Sequence, residues 1–407
     1  MTLKETSLLP IIDIENLGLD AGAHLLVKHG LLNVPPGDEI GVIGRCPGWE
    51  AQLSAWCRSQ GHQFAVSKQD GRTVARVRRG EAEIGRWRGA MHTGHADPTV
   101  EGAVAGQAQA CWGLAARGAT VEAGSPAIHF RLDQKMEVWS DSAADLYKQA
   151  VAAQWNPDAV IDWDAPFELP DIVEDAVVQV LTYMIENEEA ALIVPARFLG
   201  QLHPHFREVQ ALLAIQVADE ARHIHVFTRR LRLKGREPAL STAGGQTSLK
   251  TLLDEPDFSI TQFLLSVLGE GTFVSLLHFL HAHAPDPVTR QVARLAARDE
   301  ARHVAFGMMH LMSRLEQEPQ FRTRLANAVQ SRNDALSGTS GLNEEVFDAL
   351  ILLAAGELTP TAIAAGYVRV QELMLDMAAG RQARLEKLGF GKETAQQLSA
   401  LHTRNFM

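Results

Sequence analysis

The pentapeptide Asp-Glu-Ala-Arg-His occurs twice in this 407-residue chain, at Asp219–His223 and Asp299–His303, and supplies its only two Glu-x-x-His matches. Residues three apart on a helix differ by about 60° in azimuth and about 4.5 Å in rise, so Glu220 and His223 project from one face, as do Glu300 and His303. Each pentapeptide follows a glutamate set in an apolar run: Glu188 lies 32 positions before Glu220, and Glu270 lies 30 before Glu300. Corresponding positions are offset by 82 (270 − 188), 80 (300 − 220) and 80 (303 − 223), the mark of a duplicated helix pair.

A single Glu-x-x-His is weak, since a chain of this size shows on the order of one by chance. Two identical copies, each with its upstream glutamate, form the donor inventory of a two-metal carboxylate bundle, in which each of two helices gives one Glu and each of two others gives Glu-x-x-His. Glu270 is the most telling member. It lies in Phe263-Leu-Leu-Ser-Val-Leu-Gly-Glu-Gly-Thr-Phe-Val-Ser-Leu-Leu-His-Phe-Leu280, where an unpaired buried carboxylate would cost roughly several kcal/mol and a cation removes that cost. A central charge is also expensive in a bilayer, so the run reads as a buried bundle helix rather than a membrane span.

Four long helical segments are expected at roughly 171–200, 206–234, 258–283 and 287–315, with a polar linker over 234–248 and further helices at 343–355, 359–379 and 394–401. On the first bundle helix Glu186, Glu188 and Glu189 cannot all face inward. Glu188 has Met184, Ile185, Ala191 and Leu192 at helical spacing and is favoured as a ligand, with Glu189 as the alternative. Asp219 and Asp299 stand one turn before the histidines, where a carboxylate orients the second imidazole nitrogen of its own helix or a neighbour's; the alternative is a surface pair with Arg222 or Arg302. An apolar pocket beside the metals is expected to include Phe227, Phe273 and Phe306. His203 and His205 read as exposed loop-end residues, and His278, His281 and His310 as packed histidines rather than added ligands.

The stretch from about 141 to the C-terminus, through these Glu and Glu-x-x-His positions, resembles the ferritin-like, ribonucleotide-reductase-like superfamily of di-iron carboxylate oxidases and oxygenases. The resemblance implies that Glu188, Glu220, His223, Glu270, Glu300 and His303 bind two iron ions, or a manganese–iron pair, with Glu220 and Glu300 as bridging carboxylates. It implies O2 activation through a peroxo-level diferric species and oxidation of a small organic substrate, an amine, fatty chain or sulfur compound, with an external electron donor. A radical-generating reductase subunit is disfavoured, because Tyr147, Tyr183 and Tyr367 are the only tyrosines and none stands one turn after a ligating histidine. Iron oxidation or peroxide scavenging, and a metal-stabilised interaction protein, are the alternatives.

Residues 1 to about 80 read differently, as β-α-β-α-β-β, a small two-layer α/β domain with an Asp70-Gly71 hairpin signal. The whole is therefore an α+β multidomain chain, mainly an all-α bundle. Pro35-Pro-Gly37 followed by Ala55-Trp-Cys-Arg-Ser-Gln-Gly-His62 resembles the TusA/SirA family of small sulfur carriers. That family carries its Cys-Pro at the start of the first helix, near Asp20-Ala21 here, where this chain has no cysteine. Cys46-Pro47 comes instead after the second strand, and Cys57 falls in the second helix, so a docking or lid module is expected rather than persulfide transfer. Residues 81–140 show no clean period and read as a connector or small module, with Cys111 as packing. Three cysteines make no disulfide framework, and a net charge of −11 without a Lys/Arg-rich run excludes the footprint of a nucleic-acid binder. With no signal peptide visible, a cytoplasmic homodimer working on a small molecule is expected.

Overall fold

The computed structural model describes residues 9–69, 71–81, 87–337 and 344–401. Two compact units are present. One comprises residues up to Thr93 with Gly118–Pro126; the other comprises Gly94–Arg117 and the chain from Ala127 onward. The aperiodic stretch 81–140 is thus shared between them.

In the first unit, β1 (Ile11–Asp13), α1 (Ala23–Leu32), β2 (Glu39–Ile43), α2 (Trp49–Gln60), β3 (Gln63–Gln69) and β4 (Arg72–Arg78) follow the expected order. The sheet runs β1-β2-β4-β3, with β1 parallel to β2 and the other pairs antiparallel. A parallel pair needs a crossover, which α1 supplies. Ile40, Val42, Ala75 and Val77 pack against Val27, Leu31, Leu53 and Cys57 of the helices, while Arg76 and Arg78 turn outward to Glu39. Asp70 of the expected hairpin lies outside the described residues; Gly71 takes φ 77°, a left-handed turn conformation that suits glycine. A short ribbon, β5 (Met91–His92) with β6 (Thr120–Val121), completes this unit.

The second unit is helical. After α3 (Ala143–Ala152) come α4 (Asp171–Leu199), α5 (Arg207–Leu233), α6 (Ala243–Asp254), α7 (Phe258–His283) and α8 (Pro287–Gln317), then α9 (Phe321–Leu336), α10 (Glu344–Ala355), α11 (Pro360–Lys387) and α12 (Lys392–Ala400). The bundle proper is α4, α5, α7 and α8, with boundaries close to those expected. Asp286 caps α8 by accepting from the Thr289 amide at 2.8 Å, with Pro287 in the first turn. Arg230 of α5 is fully buried and joins Glu174 of α4 to Asp286 at 2.8–2.9 Å, tying one end of the bundle together.

The expected polar linker is a correction: from Thr242, which caps the Gly245 amide, it becomes α6 and buries Ser248, Leu249 and Leu252. Helix α9 was not foreseen, and α11 runs past Gly380. By length and composition α7 suits a bilayer, yet 83% of its apolar window is buried inside the protein. Between Phe263 and Glu270 this helix widens into a π-helix, a local register change that commonly marks function. Arg384 donates from Nε to the Val267 carbonyl in that stretch at 2.7 Å. Two glycines allow the close approach. A Cβ on Gly271 would stand 2.5 Å from the Arg384 guanidinium carbon, and one on Gly307 of α8 would stand 2.8 Å from Ser266 Cβ.

Candidate metal centre

The four bundle helices bring Glu188, Glu220, His223, Glu270, Glu300 and His303 together, each 4% exposed or less. Glu188 faces inward and Glu189 outward, which resolves the crowding on α4. Glu220 sets one oxygen 3.2 Å from His223 Nδ1 and the other 3.0 Å from His303 Nδ1. Glu300 does the same at 3.3 and 3.4 Å. Each of these two carboxylates therefore spans both imidazoles. Glu188 adds an oxygen 3.3 Å from His223 Nδ1, and Glu270 joins the His303 side, where Gln216 Nε2 donates to its Oε1 at 3.0 Å.

Two four-donor groups result, Glu188/Glu220/His223/Glu300 and Glu220/Glu270/Glu300/His303, in each of which the donor atoms lie within 4.8 Å of one another. Neighbouring ligands around an ion with bonds of about 2.1 Å at right angles stand about 3.0 Å apart, close to the spacings above. Glu188 Oε1 and Glu270 Oε2 have no hydrogen-bond partner, and Glu220 Oε1 and both Glu300 oxygens face the imidazole nitrogens without hydrogen-bond geometry, although buried polar atoms are ordinarily satisfied. Four carboxylates with two neutral imidazoles carry a charge that two divalent ions cancel. The residues fit a pair of metal ions.

With protons as the only cations, the cluster distributes them unevenly. Burial pushes the Glu188 and Glu270 carboxyls well above their usual range, and the charges of Glu300 and Glu220 push the same way. Burial also opposes the charged form of Glu220, but His303 and His223 outweigh it and hold its pKa well below the ordinary value. Burial disfavours protonated His223 and His303 too. There the facing carboxylates win, and both rings sit well above the imidazole range.

Each imidazole's outer nitrogen is held from the opposite repeat. His223 Nε2 lies 3.2 Å from Asp299 Oδ2, and His303 Nε2 lies 3.4 Å from Asp219 Oδ2. These aspartates also pair with arginines, though not at the surface as the alternative had it: both are buried, and Arg222 and Arg302 each contact both of them. Hydrogen bonds from His223, Arg222 and Trp155 overcome burial and hold the Asp299 pKa far below the usual carboxylate range. The loop after α3 breaks the internal symmetry: Gln154 donates to Asp219 and Trp155 Nε1 to Asp299, both at 2.7 Å. Arg222 stacks over the Trp155 ring at 4.6 Å. Gln216 is a second asymmetry, since its counterpart 80 positions on is Ala296.

Other expectations need adjustment. Phe273 walls a cavity of about 10 Å³ beside Glu188, Glu270 and Glu300, together with Asn187 and Leu265. Phe227 instead lies against the His223 ring, with centroids 6.5 Å apart, and Phe306 stacks on His310 at 6.1 Å. The pocket foreseen at Phe227, Phe273 and Phe306 is thus a void of about one water molecule. His203 and His205 are buried, not exposed. His205 Nε2 accepts from the Ala105 amide at 2.9 Å and its ring packs on Trp112. His310 is buried between Ser259 and the Trp139 carbonyl, with its pKa pushed by burial down to about 4, whereas His278 and His281 are exposed. Tyr147 and Tyr367 are exposed; Tyr183 is buried, its ring 6.2 Å from that of Phe273. In the first unit, burial pushes the Cys57 thiol up to about 12. Cys46 Sγ lies 3.5 Å from where a Gly18 Cβ would stand, beside the start of the first helical segment.

No family model and no curated protein matches the chain by sequence. Among solved structures it is similar to an aldehyde deformylating oxidase from Synechococcus, with TM-score 0.42 and 18% identity over 56% of this chain and 96% of that one. It is similar to an R2-like ligand-binding oxidase from Sulfolobus acidocaldarius, with TM-score 0.42 and 15% identity over 62% and 93%. A variant of R2-like ligand-binding oxidase with an aerobically reconstituted Mn/Fe cofactor gives TM-score 0.44 and 16% identity over 63% and 94%.

Proposed function

We propose that the chain is an O2-consuming dimetal oxidoreductase acting on a small organic substrate, with two iron ions or a manganese–iron pair held by Glu188, Glu220, His223, Glu270, Glu300 and His303. The observation that carries this reading is the span of Glu220 and Glu300 across both histidines. Oxygen-rich ligation with one imidazole per ion suits iron and manganese better than a thiolate-preferring metal. When bound, such ions supply the electrons that O2 reduction requires.

The chain's own groups do the rest. Glu220 and Glu300 would be shared by both ions, and Glu188 and Glu270 would each hold one of them. Asp219 and Asp299 keep a proton on each Nε2, so that each Nδ1 presents its lone pair inward. Arg222 and Arg302 balance those two aspartates, leaving the charge of the inner four carboxylates for the metals. The bundle walls exclude water.

Anaerobic titration of the full chain with Fe(II) tests the site: two equivalents should bind, falling to one in His223→Ala and in His303→Ala. Mixing the loaded protein with O2 in a stopped-flow spectrometer should then give a visible transient that decays faster with an organic substrate present. The small cavity favours a second reading, iron oxidation or peroxide removal without an organic substrate, because it leaves no room for an organic molecule. Turnover of many Fe(II) per chain would establish that reading, and metal uptake without O2 consumption would leave only a stabilising role.

A further inference from the structure

Helix α9, the start of α7 and α6 line a second cleft, open to solvent and about 510 Å³ in volume. Arg332 of α9 lines it at 4% exposure. Its Nη2 donates to Ser248 Oγ at 2.8 Å, whereas Nε and Nη1 have no acceptor. Burial lowers its pKa to about 10. The cleft's other charged side chains are engaged: Arg324 pairs with Asp257 at 2.8 Å, Asp254 with Lys250, and Glu255 accepts from the Asp257 amide at 2.9 Å. A cation withdrawn from water without a counter-ion is costly, and an anion completes such a site.

The cleft adjoins the metal centre through one turn of helix. Leu264 lines the cleft, and the next residue, Leu265, lines the cavity beside Glu188, Glu270 and Glu300. Phe273, another wall of that cavity, packs on the buried ring of Tyr183. The π-helical stretch therefore borders both spaces.

We infer that this cleft is the substrate subsite and that Arg332 binds the carboxylate of an organic acid whose apolar portion lies along Ile260, Leu264 and Ala328, toward the metals. One unpaired guanidinium calls for a monoanion rather than a phosphate dianion, and the aliphatic walls call for an organic tail. The role as substrate rests on the oxidoreductase reading; the binding itself does not.

Calorimetric titration of the full chain with decanoate, decan-1-ol and inorganic phosphate tests the site. Decanoate should bind once per chain, and decanol at least about tenfold more weakly. Arg332→Met should weaken decanoate by roughly 10- to 100-fold while raising Tm, with Fe(II) stoichiometry unchanged; Arg332→Lys should restore part of the affinity. Ala328→Trp, which narrows the cleft without touching the charge, should also weaken decanoate and guards against a folding artefact. Equal decanoate affinity in Arg332→Met, or binding of phosphate but not decanoate, an adventitious ion only, overturns the inference. Failure of Fe(II) to bind would sink the oxidoreductase reading and leave the decanoate result standing; Fe(II) binding without decanoate binding would sink the cleft alone.

Discussion

Replacing Asp299 by Asn probes the most specific geometric statement about the centre, that each histidine is oriented from the other repeat. The two side chains match in size, so what is lost is the negative charge 3.2 Å from His223 Nε2. Removing such an orienting carboxylate typically weakens metal binding 10- to 100-fold, about 1.4–2.7 kcal/mol. The loss should fall on the His223 ion, although Asp299 lies on the helix that carries His303. Asp219→Asn should weaken the His303 ion by less, since its contact is longer, 3.4 Å. Anaerobic Co(II) titrations in double-mutant cycles separate the two. Asp299→Asn with His223→Ala should couple by about 1–2 kcal/mol, and with His303→Ala by no more than about 0.5 kcal/mol. A larger coupling to His303 would refute the crossed arrangement.

Metal uptake should release protons, because Glu188, Glu270, His223 and His303 all have raised pKa values and coordinate only when deprotonated. Groups whose folded pKa is raised stabilise below their unfolded pKa and lose that contribution as pH climbs through the folded value. Tm of the metal-free chain should thus fall from about pH 4.3 upward, where the two carboxyls begin to count, and further above about pH 6.5, where the imidazoles join them, while Fe(II) affinity rises; pH-independent uptake would contradict this. Gly271→Ala should displace Arg384 from Val267 and lower stability by about 1–3 kcal/mol, read as Tm, with weaker binding at the Glu270 ion. Iodoacetamide on the native chain should label Cys46 and spare Cys57, whose thiol is buried and pushed up to about 12; labelling of Cys57 would mean that α2 opens readily.

The ligand set was legible because helical spacing converts Glu-x-x-His directly into a shared face, and because a carboxylate in a run as apolar as that around Glu270 needs a reason. What surrounds it was not. The π-helical stretch has no sequence period of its own; its register follows from packing of Gly307 on Ser266 and Arg384 against Gly271. Gln154 and Trp155 sit in a loop, where no spacing announces which side chain points inward. Helix α6 was hidden by Gly244-Gly245, and α9 by a polar composition from which only Phe321, Leu325, Val329, Arg332 and Leu336 turn inward. His203 and His205 are covered by the aperiodic segment 94–117, so their burial depends on contacts distant in sequence, such as Ala105 and Trp112.

The reciprocal hold of Asp219 on His303 and of Asp299 on His223 bears on how such a centre could be assembled from a duplicated unit. A fragment holding one repeat contains a lone glutamate, a Glu-x-x-His and an aspartate, yet that aspartate reaches toward a ring the fragment does not possess. Two such fragments paired about a twofold axis would complete each other. The covalent link through α6 makes permanent an exchange that separate halves would have to find by association, and it frees the halves to diverge, as Gln216 opposite Ala296 already shows.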